Sequence, residues 1–180
     1  VDRMQLESAI DITASLSRHI DTFTAKIASI AKDDQRVRLL MTIPGIDYLT
    51  ALTIIAEIAD IKRFSTPWKL VGYAGLACSQ RDTGDKKRRG PITKQGSKWL
   101  RYAMVEAANT AIRCDERLKQ FHDRIAPRRG PQKARVATAK EMLVIVWHML
   151  TKSEPYRGMN RETVERKYER MQWKARAAWA

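Results

Sequence analysis

Eight cationic side chains crowd into residues 81–101 (Arg81, Lys86, Lys87, Arg88, Arg89, Lys94, Lys98 and Arg101). Only Asp82 and Asp85 oppose them there, so the stretch carries a net charge of +6. A second run, residues 127–140, adds Arg128, Arg129, Lys133, Arg135 and Lys140 with no acid. The whole chain sets 34 Lys and Arg against 20 Asp and Glu, a net of +14, and these two segments hold +11 of it. Positive charge focused in this way suits a polyphosphate, and nucleic acid is the partner it fits. The plain alternative is a solvated charged face. Against that stand the length of the first run, its glycines, and the spacing of Lys94, Lys98 and Arg101, three or four apart as on one helix face. If about six of these cations meet phosphates, log affinity falls with log salt at a slope of about −5.

Other chemistry is thinly represented. Cys78 and Cys114 form no CxxC pair, and His19, His122 and His148 stand apart, so no metal site is expected and the cysteine usage suits a reducing, cytoplasmic setting. Asp33-Asp34 and Asp115-Glu116 read as surface turns rather than as a two-metal carboxylate cluster. Trp68, Trp99 and Trp147 fall within apolar patterns and read as core residues, while Trp173 and Trp179 stay open. No apolar run approaches the ~20 residues of a membrane span. The first residue is Val1, not methionine, so a fragment or a processed product is expected.

The elements that must position these cations read as helices. Ala9, Thr13, Leu16, Ile20, Phe23, Ile27 and Ile30 alternate four and three apart, either a heptad seam of a coiled-coil arm or one amphipathic helix packed on its own domain. Two helices then meet at Ile43-Pro44-Gly45-Ile46, which resembles a helix-hairpin-helix. There Gly45 and Ile46 would offer backbone N–H groups to a phosphate, although Asp47, suited to capping the next helix, would repel one. A purely structural turn is the alternative. A short element spans Trp68 to Tyr73, and residues 80–96 lack any period and read as an exposed loop. Helical period returns at Ser97, a candidate cap, and continues to Ile125. A break at residues 127–131 precedes a last core helix from Val136 to Leu150. The tail, with a weak stripe of Val164, Tyr168, Met171 and Ala175, is expected to dock only with a partner. The fold class is therefore mainly α with little or no sheet. It divides into a helical arm (1–35), a domain with the hairpin element (36–155) and a charged helical tail (156–180).

Several motifs recur together over residues 36–155: Leu40-Met41-Thr42-Ile43-Pro44-Gly45-Ile46, Phe64, Tyr73-Ala74-Gly75-Leu76, Asp82-Thr83-Gly84, Gly90, Ile92-Thr93-Lys94-Gln95-Gly96, Leu100-Arg101 and Glu106-Ala107-Ala108. In order and spacing they resemble the C-terminal transposase domain of the IS-one-ten family of insertion-sequence recombinases. The heptad arm resembles that family's coiled-coil insertion. The resemblance implies an active site in two halves. An N-terminal RNase H-like domain supplies acidic residues for magnesium, and the C-terminal domain supplies a serine that attacks a DNA phosphate while a bridge RNA selects target and donor. Carried over, it implies that this chain holds the nucleophile half, with Thr83 in the serine's place and Ser79 a second candidate that matches less well. It further implies no cofactor in the chain itself, DNA and guide RNA as partners, and self-association through the N-terminal helix. Threonine can act as a nucleophile when activated, but its methyl crowds an in-line attack. A binding module without chemistry, such as a degenerate remnant, is the alternative. A helical oligomerisation module with an incidentally basic surface is a third.

Overall fold

A computed structural model describes residues 2–83 and 86–177, with the side chains of residues 80–83 and 86–89 outside the description. The chain is mainly α-helical, and a single two-stranded sheet is present among the described residues. Helix α1 (Arg3–Ala31) buries only Ala25, Ala28 and Ala31, spaced three apart near its end. Asp34 opens α2 (Gln35–Leu40), its carboxylate accepting from the Arg36 amide at 2.8 Å. The Arg36 guanidinium beside it holds that carboxyl below the usual range. After the Pro-Gly turn comes α3 (Tyr48–Ile58), capped by Asp47, and then a 3-10 turn (Ile61–Arg63) leads to α4 (Pro67–Tyr73), with proline in its first turn.

Residues 80–96 were expected to form an exposed loop; the structure instead places an antiparallel pair there, β1 (Cys78–Thr83) and β2 (Lys86–Ile92). The polar, glycine-bearing sequence has no apolar alternation to announce strands, and the register of the backbone pairing is what defines them. The stretch from Ser97 to Ile125, read as one helix, is two: α5 (Lys98–Cys114) and α6 (Glu116–Arg129). Asp115 breaks it. It is buried rather than on a surface turn, and its carboxylate accepts from the Leu118 amide and from the Tyr156 hydroxyl, both at 2.9 Å. Burial and Asp115 together push the Tyr156 phenol above its ordinary range. The Tyr156 amide in turn donates to Thr42 Oγ1 at 3.0 Å, so one polar knot joins three distant parts of the chain. Pro127 lies inside α6, and the actual break is at Gly130.

Helix α7 (Pro131–Lys152) is the central post, packing against α2, α4, α5 and α6. Ala134, Thr138, Met142, Val146 and Met149 recur along its buried stripe, with Ala139 and Leu143 beside them. Ala139, Met142, Leu143, Val146 and Met149 join Leu40, Ile54, Leu70, Leu100, Met104 and Leu118 in one core. The tail docks on its own chain, against expectation. Helix α8 (Arg161–Arg176) packs on α1, with Met171 and Ala175 buried.

Candidate nucleic-acid interface

The basic hairpin is held at its base by the ends of two helices. Residues on the far side of β2 bond back to the end of α4: Thr93 N to Ala77 O at 2.9 Å, Lys94 N to Gly75 O at 3.1 Å, and Ser97 N to Tyr73 O at 2.8 Å. Gly96 sits at φ 101°, so close to this seam that a Cβ would lie 2.1 Å from Tyr73 O, which no side chain tolerates. Ser97 caps α5 as its type suggested, accepting from Leu100 N at 2.9 Å while its hydroxyl donates to Glu57 Oε2 at 2.7 Å. The start of α5 is thereby tied to α3.

Register pairs Gln80 with Arg89, Arg81 with Arg88, Asp82 with Lys87 and Thr83 with Lys86. Because successive strand residues alternate between faces, residues 81, 83, 86 and 88 share one face of the hairpin and residues 80, 82, 87 and 89 the other. Thr83 thus lies on the same face as Arg81, Lys86 and Arg88. Gly84 and Asp85, between the strands, lie outside the described residues. Ser79, the second candidate nucleophile, is engaged within the hairpin at an irregularity in the ladder. Its hydroxyl donates to Pro91 O at 3.1 Å, and a Cβ on Gly90 would come within 2.3 Å of it.

The remaining cations divide. Lys94 is exposed but lies before α5, at φ 55°, so the single helix face expected for Lys94, Lys98 and Arg101 reduces to the last two. Lys98 is exposed, its Nζ 5.1 Å from the Trp99 ring centroid. Arg101 is half-buried and donates from Nη1 to Ala74 O at 2.9 Å, so part of its donor capacity goes to the end of α4. Arg128, Arg129 and Lys133 are exposed around Gly130, while Arg135 is half-buried and reaches Gln132 at 3.3 Å. Trp68 and Trp99, read as core residues, are instead 61% and 58% exposed. Trp147 is partly buried against the core and donates to Phe64 O at 2.8 Å.

The Pro-Gly turn is packed inwards. Gly45, at φ 82°, lies against α5, where a Cβ would meet Ala107 O at 2.2 Å, and Ile46 is fully buried. The Ile46 amide already donates to Ile43 O at 3.3 Å, and Gly45 is half-buried. The carbonyls of Met41, Ile43 and Ile46 converge instead on the ammonium of Lys167, at 2.8, 2.9 and 2.8 Å. Burial brings that ammonium down to about 8, against the opposing pull of Asp47. Asp47 caps α3 through Tyr48 N at 2.8 Å and pairs with Arg170. Lys167 escaped the sequence reading, although it lies four residues before Met171 and three after Val164, a cation beside the apolar stripe of the tail. Tyr102, which escaped it too, is 62% exposed one helical turn from Trp99.

Among the described residues no three His, Cys, Asp or Glu side chains gather as metal ligands, and no helix is long and apolar enough to cross a membrane.

Residues 37–123, which span the turn, the hairpin and α5, match the family described as transposase IS116/IS110/IS902. The chain is 30% identical over 145 residues to the transposase for insertion sequence element IS1111A of Coxiella burnetii, covering 77% of this chain and 39% of that protein. It is 26% identical to a Pseudomonas aeruginosa protein named "Probable family 20 transposase", covering 82% and 47% of the two chains. With the transposase for insertion sequence element IS1328 of Yersinia enterocolitica it shares 29% identity over 62% of this chain and 32% of that one. The chain therefore spans less than half the length of these curated relatives. The motifs that build the hairpin base and its helical seat fall within the matched segment, and residues 37–123 carry a domain of the IS116/IS110/IS902 family of transposases.

Proposed function

We propose that this chain is the part of a transposase that grips DNA with its basic hairpin and supplies the Thr83 hydroxyl for strand cleavage and exchange. One observation carries the reading: the register of the hairpin puts Thr83 opposite Lys86 and on the same face as Arg81 and Arg88. In this reading the Thr83 oxygen attacks a backbone phosphorus and displaces one ester oxygen, which leaves with a proton as a free hydroxyl. The phosphoester linkage is conserved as a protein–DNA bond that a second strand's hydroxyl can reverse. Cations on the same face would offset the charge that grows on the non-bridging oxygens. Acidic residues that hold magnesium belong, in this reading, to a domain outside this chain, and a guide RNA selects the DNA. Helix α1, whose Leu16, Ile20, Phe23 and Ile30 are each more than half exposed, is the surface for self-association.

The test uses the complete transposase with magnesium and its guide RNA, and seeks a covalent protein–DNA adduct by denaturing electrophoresis. Thr83→Ala is expected to abolish the adduct, and an adduct of parental yield in that variant sinks the assignment. A second reading, a binding module without chemistry, is favoured by the threonine methyl. It predicts no adduct from the parent protein, whereas strand transfer gained by Thr83→Ser points to decay of an enzyme rather than to a binding role.

A further inference from the structure

Helix α5, which follows the basic hairpin along the chain after a short connector, presents a pair of large aromatic rings to solvent. Trp99 is 58% and Tyr102 62% exposed. They lie three residues apart, hence on one face, and only residues 93–97 separate β2 from α5. Both rings leave apolar surface in water, while the core helix that carries them buries Leu100, Ala103, Met104, Ala107 and Ala108 on its opposite side. Two cations lie near the rings, and one exposed acid, Glu106, follows Tyr102 by one helical turn. Lys98 Nζ stands 5.1 Å from the Trp99 ring centroid, and Lys94 is exposed on the connector.

We infer that Trp99 and Tyr102 form a stacking platform for unpaired bases of a nucleic-acid strand whose phosphates are held by the neighbouring hairpin cations. The inference rests on the nucleic-acid reading above and adds to it a strand state, single rather than double, and a place for the bases. Aromatic faces interleaved with lysine and arginine suit this occupant, because every base offers a π-face and every nucleotide brings a phosphate. A protein surface docking on the same rings would meet lysines beside them, a residue type depleted from such interfaces. In a duplex the base faces are already stacked on one another and are closed to these side chains.

Fluorescence anisotropy of labelled oligo-deoxythymidine, oligo-uridine and a duplex of equal length provides the test, with the protein variants Trp99→Ala, Tyr102→Ala, Trp99→Phe and Trp99→Leu. Both alanine variants are expected to keep the parental helical signal and melting temperature, since these side chains are exposed. Each should weaken single-strand binding about 5- to 150-fold, the equivalent of about 1–3 kcal/mol per stacked base, while duplex affinity and the salt slope stay at parental values. Trp99→Phe should restore most of the loss, whereas Trp99→Leu, apolar but without a π-face, should not. Preference for the uridine or the deoxythymidine strand identifies the source of the bases. Single-strand affinity unchanged in both alanine variants, an equal loss on duplex, or full rescue by leucine overturns the platform. If the parent itself binds no strand in a salt-dependent way, the nucleic-acid reading has failed, a result distinguishable from failure of the platform alone.

Discussion

Lys167 shows what a single side chain contributes when its partners are main-chain atoms. Three carbonyls of the 41–46 turn point at its ammonium, and the residues that own them are all but fully buried. Lys167→Met should keep most of the packing volume but leave those acceptors without a donor, at a cost of about 2–3 kcal/mol in denaturant unfolding. The pH dependence has a definite sign. Folded, Lys167 loses its proton near 8, whereas unfolded it holds it to its ordinary 10.5. Between those values the unfolded chain binds more protons, so this residue's contribution to stability rises with pH, and below 8 it is constant. The stability gap between parent and Lys167→Met should therefore widen from pH 7.5 to 9.5; a gap that narrows contradicts the assignment. Tyr156 opposes the trend only above its ordinary 10, because its raised pKa keeps the folded form protonated there.

Elements differ in how plainly their sequences announced them. The stripes of α5 and α7 were legible, because apolar residues recur every three or four positions and face one core. The hairpin was not, since strands stabilised by a ladder and rooted on helix ends need no alternating face. The split at Asp115 was hidden by a periodicity that runs on through it; the Leu118 amide and the hydroxyl of Tyr156, 41 residues away, together explain why a carboxylate is buried there. Thr83 entered through the family motif, and its cationic neighbours through composition; their sharing of a face required the register. Of the seam residues read from spacing in α1, Leu16, Ile20, Phe23 and Ile30 are all more than half exposed. If that seam joins copies, replacing Ile20 and Phe23 with lysine should turn a concentration-dependent mass in sedimentation equilibrium into a monomeric one with melting of the core unchanged. A monomeric parent removes the premise.

At the scale of the whole molecule, charge is distributed as a footprint. With +11 of the net +14 in two segments, affinity for duplex DNA should fall with salt at a log–log slope of about −5. Replacing Lys86, Lys87, Arg88 and Arg89 with glutamine should flatten that slope by about 3 to 4, about 0.9 per lost phosphate contact; an unchanged slope would place the footprint elsewhere. The shared core joins α2 to α8, so the tail is part of the body. That has a consequence for how the molecule is made. Lys167 follows its last acceptor, Ile46, by 121 residues. At a ribosomal pace of about 5–20 residues per second, the turn waits roughly 6 to 25 s for its donor, its three carbonyls hydrated meanwhile. The joint between α2 and α3 is thus completed only once α8 has been made, long after the two helices it joins.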